Sequence, residues 1–176
     1  MRQNADSTNT LLYTERISSR KTEALFLALM FIFFLLLFWR VNAVNLDWVA
    51  IVFACFFVLF LFYSVNYRTL LIRLTTESLK LTFGIFTWTV PVDNIEECSL
   101  DELPAIMKFG GAGIHFMTIR NRYRASFNFL EYARVVVMLK RKQGLVQDVS
   151  FSTRRPDEII ERLQGVLVAN QSRSLE

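Results

Sequence analysis

His115 is the only histidine of this 176-residue chain, and it is the first residue to consider for chemistry near neutral pH. A histidine acts as a general base when a nucleophile or an orienting carboxylate lies within hydrogen-bond reach. No neighbouring sequence motif supplies either group. The sequence therefore favours a packed or surface histidine on a strand over a catalytic one.

A glycine cluster and an acidic run are two further places where a ligand could bind. The cluster, Gly110-Gly111-Ala112-Gly113, precedes a strand pattern rather than a helix, and no Gly-Lys-Ser/Thr follows it. It therefore indicates a bulge or turn rather than a phosphate cradle. The acidic run lacks the spacing of a calcium loop, which leaves a solvated face or a docking surface for a basic partner. Its members are Asp93, Glu96, Glu97, Asp101 and Glu102.

The remaining metal ligands and nucleophiles are sparse. The chain has two cysteines, Cys55 inside an apolar stretch and Cys98 outside it, so we do not expect them to pair. With a single histidine, no zinc or iron–sulfur spacing exists. We therefore predict no catalytic, cofactor-binding or metal-binding residues, no small-molecule substrate and no enzymatic activity.

Basic residues on or beside predicted strands and turns form one candidate binding set. Each lysine or arginine near an anionic membrane contributes about 1 kcal/mol of attraction, so the set suits lipid head groups or a partner. Ordinary surface charge is the alternative. The formal net charge of +4 is too small and too dispersed to indicate nucleic acid. The candidates are Lys108, Arg120, Arg122, Arg124, Lys140, Arg141 and Lys142.

These residues must be positioned by larger elements, and the most distinctive elements are two uncharged apolar stretches, Ala24–Trp39 and Trp48–Tyr63. The first begins too far into the chain for a signal peptide and lacks a small-residue cleavage site. Its run Phe31–Trp39 has no polar face, which argues against a helix of a soluble core. The two stretches predict a transmembrane helical hairpin over 23–67, with spans at about 24–41 and 47–66.

Basic residues flank this hairpin on the side of both termini. Arg16, Arg20 and Lys21 precede the first stretch and Arg68 follows the second, whereas the turn between the stretches has only Arg40. Positive charge favours the cytoplasmic side, so we predict a multi-pass protein of the inner (plasma) membrane with both termini in the cytoplasm. Residues 1–22 are then a cytoplasmic tail. No ionisable group lies at mid-depth, which favours an anchor over a transport pathway.

Beyond the hairpin, residues 68–169 have the pattern of strands followed by a helix, and 170–176 form a polar tail. Apolar and polar residues alternate from Leu79 to Phe83 and from Phe86 to Val90, with Gly84 between them, which predicts a β-hairpin. Asn121-Arg122 and the segment from Lys140 to Gly144 are expected to be turns.

The C-terminal part of this region predicts a helix. Pro156 suits a first helical position, and the apolar residues that follow lie on one stripe. About seven short strands precede it. The fold class predicted is therefore α+β: a membrane hairpin, then a small β-sandwich or open barrel capped by a C-terminal helix.

Short segments spread over most of the chain occur in an order typical of one family. In order and spacing they resemble the bacterial pleckstrin-homology-like membrane proteins, which have two N-terminal spans followed by one such domain. The resemblance implies that fold and that setting. It implies no activity, because the family has no agreed one. The matching segments are Tyr13-Thr14-Glu15, Leu79 to Pro91, Phe109 to Ile114, Arg122 to Arg124 with Asn128, Val135 to Leu139, Val149 to Thr153 and Pro156 to Glu158.

Two functions follow as hypotheses. The first is a non-enzymatic, membrane-anchored interaction or scaffold module at the cytoplasmic face, which binds a protein partner or another copy of itself. The alternative is a sensor of anionic lipid that uses the basic strand and turn residues.

Overall fold

The apolar stretches form two helices, α1 (Arg20–Val44) and α2 (Trp48–Asn66), in the computed structural model. The structure describes residues 10–44, 46–101, 113–129 and 131–173. Both helices are long and apolar enough to cross a membrane, and little of either is buried within the protein. The prediction of two long apolar helices is confirmed, although α1 begins a few residues earlier than the predicted span.

The two helices pack against each other through aromatic rings. The ring of Phe33 on α1 stacks on Phe56 and Phe60 of α2, with centroid distances of 4.8 and 5.5 Å. Asp47 caps the start of α2 by accepting a hydrogen bond from the backbone N–H of Ala50. Stacking and capping together hold the pair as one hairpin.

A four-stranded antiparallel sheet begins the strand-rich region. Gly84 has φ +58 in the turn between its last two strands, a conformation that glycine adopts without strain. The hairpin predicted around Gly84 is confirmed. The sheet has the order β1-β2-β3-β4, with β1 at Leu11–Ser18, β2 at Thr69–Thr75, β3 at Ser78–Phe83 and β4 at Phe86–Pro91.

Strand β1 shows that Leu11–Ser18, within the 1–22 predicted as a tail, belong to a sheet. It pairs with β2 in antiparallel register, so that Ser18 lies opposite Thr69. Its inward positions are Tyr13, Glu15 and Ile17. Because a glutamate occupies the middle inward position, the apolar alternation that marks a strand is broken in the sequence. The strand-rich domain is thus made of two pieces of chain, one on each side of the helices.

A five-stranded sheet follows, after a short 3-10 helix at Val92–Asn94. Its strand order is β5-β8-β9-β7-β6, and all neighbours are antiparallel except β7 and β9, which are parallel. The described residues therefore contain eight strands after the two helices, where about seven were predicted, and β1 before them makes nine. The strands of this sheet are β5 (Ile95–Leu100), β6 (Gly113–Ile119), β7 (Arg122–Asn128), β8 (Ala133–Gln143) and β9 (Val146–Thr153).

Two turns lie at different residues from those predicted. The chain turns at Arg120 and Asn121, which have φ angles of +49 and +67, as a tight two-residue hairpin requires. The expected basic turn from Lys140 is instead the last part of β8, and the chain turns at Gly144 and Leu145.

The C-terminal helix predicted from Pro156 is confirmed as α3 (Pro156–Arg173). Its inward residues Ile159 and Leu163 have no exposed surface. They join a core that draws on both sheets, with Phe83 of the first sheet and Phe151 of the second also fully buried. The coarse architecture predicted, two apolar helices followed by strands and a capping helix, is therefore confirmed.

The strand-rich domain has two distinct ends. At what we call the junction end, the strands meet the helices: Ser18 precedes α1, and the Tyr132 hydroxyl donates a 2.9 Å hydrogen bond to the Ser18 carbonyl. The far end has the turns at Arg120-Asn121 and at Gly144-Leu145. Lys140 lies seven residues beyond Ala133, at most about 23 Å of extended strand, and the register of β8 shifts between Met138 and Gln143.

Candidate functional site

The candidate basic residues separate into an exposed group and a partnered group. Arg120, Lys140 and Lys142 are exposed at the far end. Arg141 is also exposed there and lies 3.7 Å from the carboxylate of Asp93. Lys108 lies outside the described residues. The far end is therefore a basic surface at the limit of the domain that is most distant from the helices.

Arg122 and Arg124 belong instead to an ion network on one face of the five-stranded sheet, which we call the ionic face. The Arg122 Nε donates to Asp148 Oδ1 at 2.6 Å, and Arg124 reaches Asp148 Oδ2 at 3.4 Å. Arg124 also donates to Asp101 at 3.0 Å, and Arg134 approaches the other oxygen of Asp101 at 3.9 Å. Three guanidinium groups thus surround two carboxylates.

This burial corrects the expectation that Arg124 contacts lipid or a partner. Its side chain is 9% exposed, and both of its terminal nitrogens point at carboxylates. Moving it to the surface would leave Asp101 with only the 3.9 Å approach of Arg134 and Asp148 with only Arg122, which is unfavourable for buried charges. Arg122 keeps 35% exposure but is held by Asp148. Both arginines are therefore engaged by carboxylates of the domain itself.

The ionic face follows from the register of the strands. Arg124 pairs across the parallel strands with Asp148, and Ser126 with Ser150, whose hydroxyl oxygens are 2.7 Å apart. Alternate residues of a strand lie on the same face, so both strands present polar side chains to one side and apolar ones to the other. The polar alternation of β7 and β9 was the available signal, but it does not reveal that the polar side is covered.

Several polar groups on this face have no hydrogen-bond partner within the part of the chain that the structure describes. They include both ring nitrogens of His115, the side-chain amide of Asn128 and one terminal nitrogen of Arg134. These atoms are closed to solvent. A buried unpaired group costs about 1–3 kcal/mol. These groups are therefore buried without the compensation of a hydrogen bond from another described residue.

His115 lies in this environment as a neutral imidazole. Burial lowers its pKa, and the positive charge of Arg134 lowers it further. Its neighbours on the sheet are Ser126 opposite, then Ser150 one strand beyond. No carboxylate among the described residues hydrogen-bonds to its ring. The arrangement offers no orienting partner for a general base.

Other groups with potential chemistry are also held in inert settings. The thiol of Cys98 is buried, its sulfur lies 3.8 Å from the carbonyl of Ile160, and burial raises its pKa to about 11. A thiol in that state is a poor nucleophile. Within the described ranges, no three His, Cys, Asp or Glu side chains gather in a way that could hold a metal ion.

A cleft of about 340 Å³ lies beside the ionic face, next to β5. Its charged lining residues are Asp101, Arg120 and Arg124. Asp101 and Arg124 already pair with each other, so Arg120 is the one of the three that does not serve the network. The cleft therefore adds to the basic character of the far end rather than forming a separate charged pocket.

A second polar cluster joins β1 to the start of α3. The buried carboxylate of Glu15 accepts hydrogen bonds from the Tyr13 hydroxyl at 2.8 Å, from Thr153 at 2.6 Å and from the backbone N–H of Arg154 at 3.1 Å. Arg155 lies over the Tyr13 ring at 5.2 Å. Burial, together with the bond to Glu15, raises the pKa of Tyr13 to about 12. The Tyr13-Thr14-Glu15 segment therefore fastens the N-terminal strand to the rest of the domain.

The helices are fastened to the domain at the junction end. The Tyr67 ring follows α2 directly and contacts Phe26 of α1 and Phe83 of β3, with centroid distances of 6.2 and 5.1 Å. A side chain at Gly84 would put its Cβ 2.4 Å from the carbonyl oxygen of Asn66, the last residue of α2. The turn between β3 and β4 thus packs directly against the end of α2.

Comparison of this chain with protein-family models, with curated proteins and with solved structures finds no match. The resemblance to pleckstrin-homology-like membrane proteins stays a prediction from the sequence. Any function must therefore be argued from the surfaces described above.

Proposed function

We propose that this protein is a non-enzymatic, membrane-anchored interaction module whose pleckstrin-homology-like domain binds a protein partner or a second copy at the cytoplasmic face of the membrane. The observation that carries the proposal is the pairing of β1 with β2. These strands stand immediately before α1 and immediately after α2. A sheet that begins on both sides of a hairpin holds the domain in a fixed direction relative to the helices.

The connections at the junction end are too short to act as flexible linkers. One residue separates β1 from α1, and two separate α2 from β2. Ser19, in the first connection, accepts a hydrogen bond from the Thr22 backbone N–H and so caps α1. With α1 and α2 spanning an inner membrane and both termini inside, the domain would face the cytoplasm with its far end pointing away from the lipid.

This direction favours a protein partner over lipid for the basic far end. Lys140 and Lys142 lie in the second half of β8, on the side away from Ala133 and the junction end, whereas charges are screened over about 8 Å at physiological salt. Head groups of the same bilayer would therefore be a weak attraction for these residues. An acidic surface on a partner meets the exposed lysines without that separation.

The surroundings of the candidate reactive groups support a role without enzymatic activity. Among the described residues, no carboxylate hydrogen-bonds to His115, Cys98 is a buried thiol, and arginines and aspartates of the ionic face pair with one another. A charged network whose carboxylates already contact arginines of the same sheet serves the structure of the domain rather than a reaction.

The test is photo-crosslinking of the full chain in native membranes, with a crosslinking amino acid in place of Lys142. We expect a discrete protein adduct that is lost when Lys140→Glu and Arg141→Glu are added. A crosslinker at Lys80, an exposed basic residue on the other sheet, is the control and should not give that adduct. Lipid adducts alone from position 142 would favour the lipid-sensing alternative. No adduct from position 142 would refute the proposal.

A further inference from the structure

The turn between β3 and β4 presents large apolar side chains to the outside beside the end of a helix. Ile85 is 72% exposed and Phe86 is 41% exposed. Single exposed apolar residues are common on soluble domains and need no explanation. Two in one tight turn, placed against an apolar helix that is itself exposed, form a continuous apolar surface.

The contacts of the turn fix its level along α2. Gly84 abuts the backbone of Asn66, the last residue of the helix. The Phe86 ring meets the Phe62 ring, one turn further into the helix, with centroids 6.3 Å apart and nearly perpendicular planes. Phe62 is 37% exposed, and it lies on α2, a helix that is long and apolar enough to span a membrane. The turn therefore lies at the depth where a spanning helix leaves the hydrocarbon.

We propose that the β3–β4 turn, through Ile85 and Phe86, is immersed in the bilayer interface as a third point of membrane contact beside the two helices. This inference rests on the proposed membrane anchoring. Apolar and aromatic side chains partition favourably into the boundary between head groups and acyl chains. With the two chain crossings, this contact prevents the domain from rocking about the hairpin.

The same molecule contains a matched control for this turn. The far-end turn at Gly144 and Leu145 also places a positive-φ glycine before an exposed aliphatic residue, since Leu145 is 76% exposed. No atom lies within 4 Å of a Cβ built on Gly144, whereas the turn at Gly84 packs on α2. The two turns share chemistry and exposure and differ in their distance from the helices.

The experiment uses an environment-sensitive fluorophore on single cysteines of the full chain in liposomes that contain lipids with quenchers at defined depths. One variant has Ile85→Cys and another has Leu145→Cys, both with Cys55→Ala and Cys98→Ala. A third keeps the native Cys55, on the exposed side of α2, and has Cys98→Ala. We expect shallow quenchers to act on the label at 85, deep quenchers to act on the label at 55, and neither to act on the label at 145.

The three labels separate the possible failures. If the label at 55 is quenched but the label at 85 behaves as the label at 145 does, the helices insert and the immersed turn is wrong. If the label at 55 is also unquenched, the membrane anchoring itself fails. Quenching at both 85 and 145 would overturn the proposed direction of the domain.

Discussion

Replacing Glu15 with alanine is expected to destabilise the strand-rich domain by several kcal/mol. The carboxylate accepts from three donors, the Tyr13 hydroxyl, the Thr153 hydroxyl and the Arg154 backbone N–H. Hydrogen bonds to a charged group contribute about 1.5–3 kcal/mol each, and buried donors left unpaired cost about 1–3 kcal/mol. Because one donor lies nearer the surface, we expect a total loss of about 3–6 kcal/mol, against about 5–15 kcal/mol for a typical domain.

The assay is urea unfolding of the full chain in nanodiscs, followed by tryptophan fluorescence. The chain has three tryptophans, and Trp39→Phe with Trp48→Phe leaves Trp88 of β4 as the reporter of the domain. Thr14→Ala, at the exposed neighbouring position of β1, is the control and should change the unfolding free energy by less than about 0.5 kcal/mol. If Glu15→Ala unfolds with the same midpoint as Thr14→Ala, Glu15 does not fasten β1 and the argument is wrong.

Three further predictions use the same assay. A valine in the left-handed conformation costs about 1–2 kcal/mol, and Gly144→Val should show that cost alone. Gly84→Val should destabilise the domain by more, because its Cβ would collide with Asn66. Equal losses at the two positions would contradict the packing of the turn on α2. Arg124→Met should cost up to about 3–5 kcal/mol, because Asp101 keeps only Arg134 and Asp148 keeps only Arg122, and Lys142→Met should cost almost nothing. A small effect at Arg124 would mean that the ionic face is solvated. His115→Leu should keep or raise stability at pH 7, since the His115 ring makes no hydrogen bond to another described residue. Folding lowers the pKa of His115, so the unfolded chain binds more protons, and the stability of the native protein should rise with pH up to about 6.5 and then level off. The leucine variant should lack this dependence on pH. If the variant shows the same dependence, other groups cause it.

Elements with strong local patterns were predictable from the sequence. The two helices are uniformly apolar, the hairpin around Gly84 alternates with period two, and the helix from Pro156 has one apolar stripe. In each case the residues that determine the element lie within the element. Local periodicity is sufficient for elements of this kind.

The features that the sequence did not predict depend on contacts between distant residues. From the sequence, Glu15 in β1 is expected to be a surface charge, but the structure shows that the hydroxyl of Thr153, far along the chain, donates a hydrogen bond to it. Arg124 is likewise expected to be a surface cation, since its partner Asp148 is distant in sequence and comes close only through the parallel pairing of β7 and β9. A charged side chain with period-two spacing is normally solvated, and only tertiary structure shows which polar face is covered.

The pairing of β1 with β2 has a consequence for how the protein is made. The first strand of the sheet leaves the ribosome before either apolar helix, and its partner leaves after both. If α1 and α2 both cross the bilayer, the two strands lie on the same side of it and can pair. If only one helix crossed the bilayer, β1 and β2 would lie on opposite sides of it and could not pair. Under the proposed membrane anchoring, folding of the domain would act as a check on insertion, since a chain inserted incorrectly would expose an unpaired sheet edge to proteases.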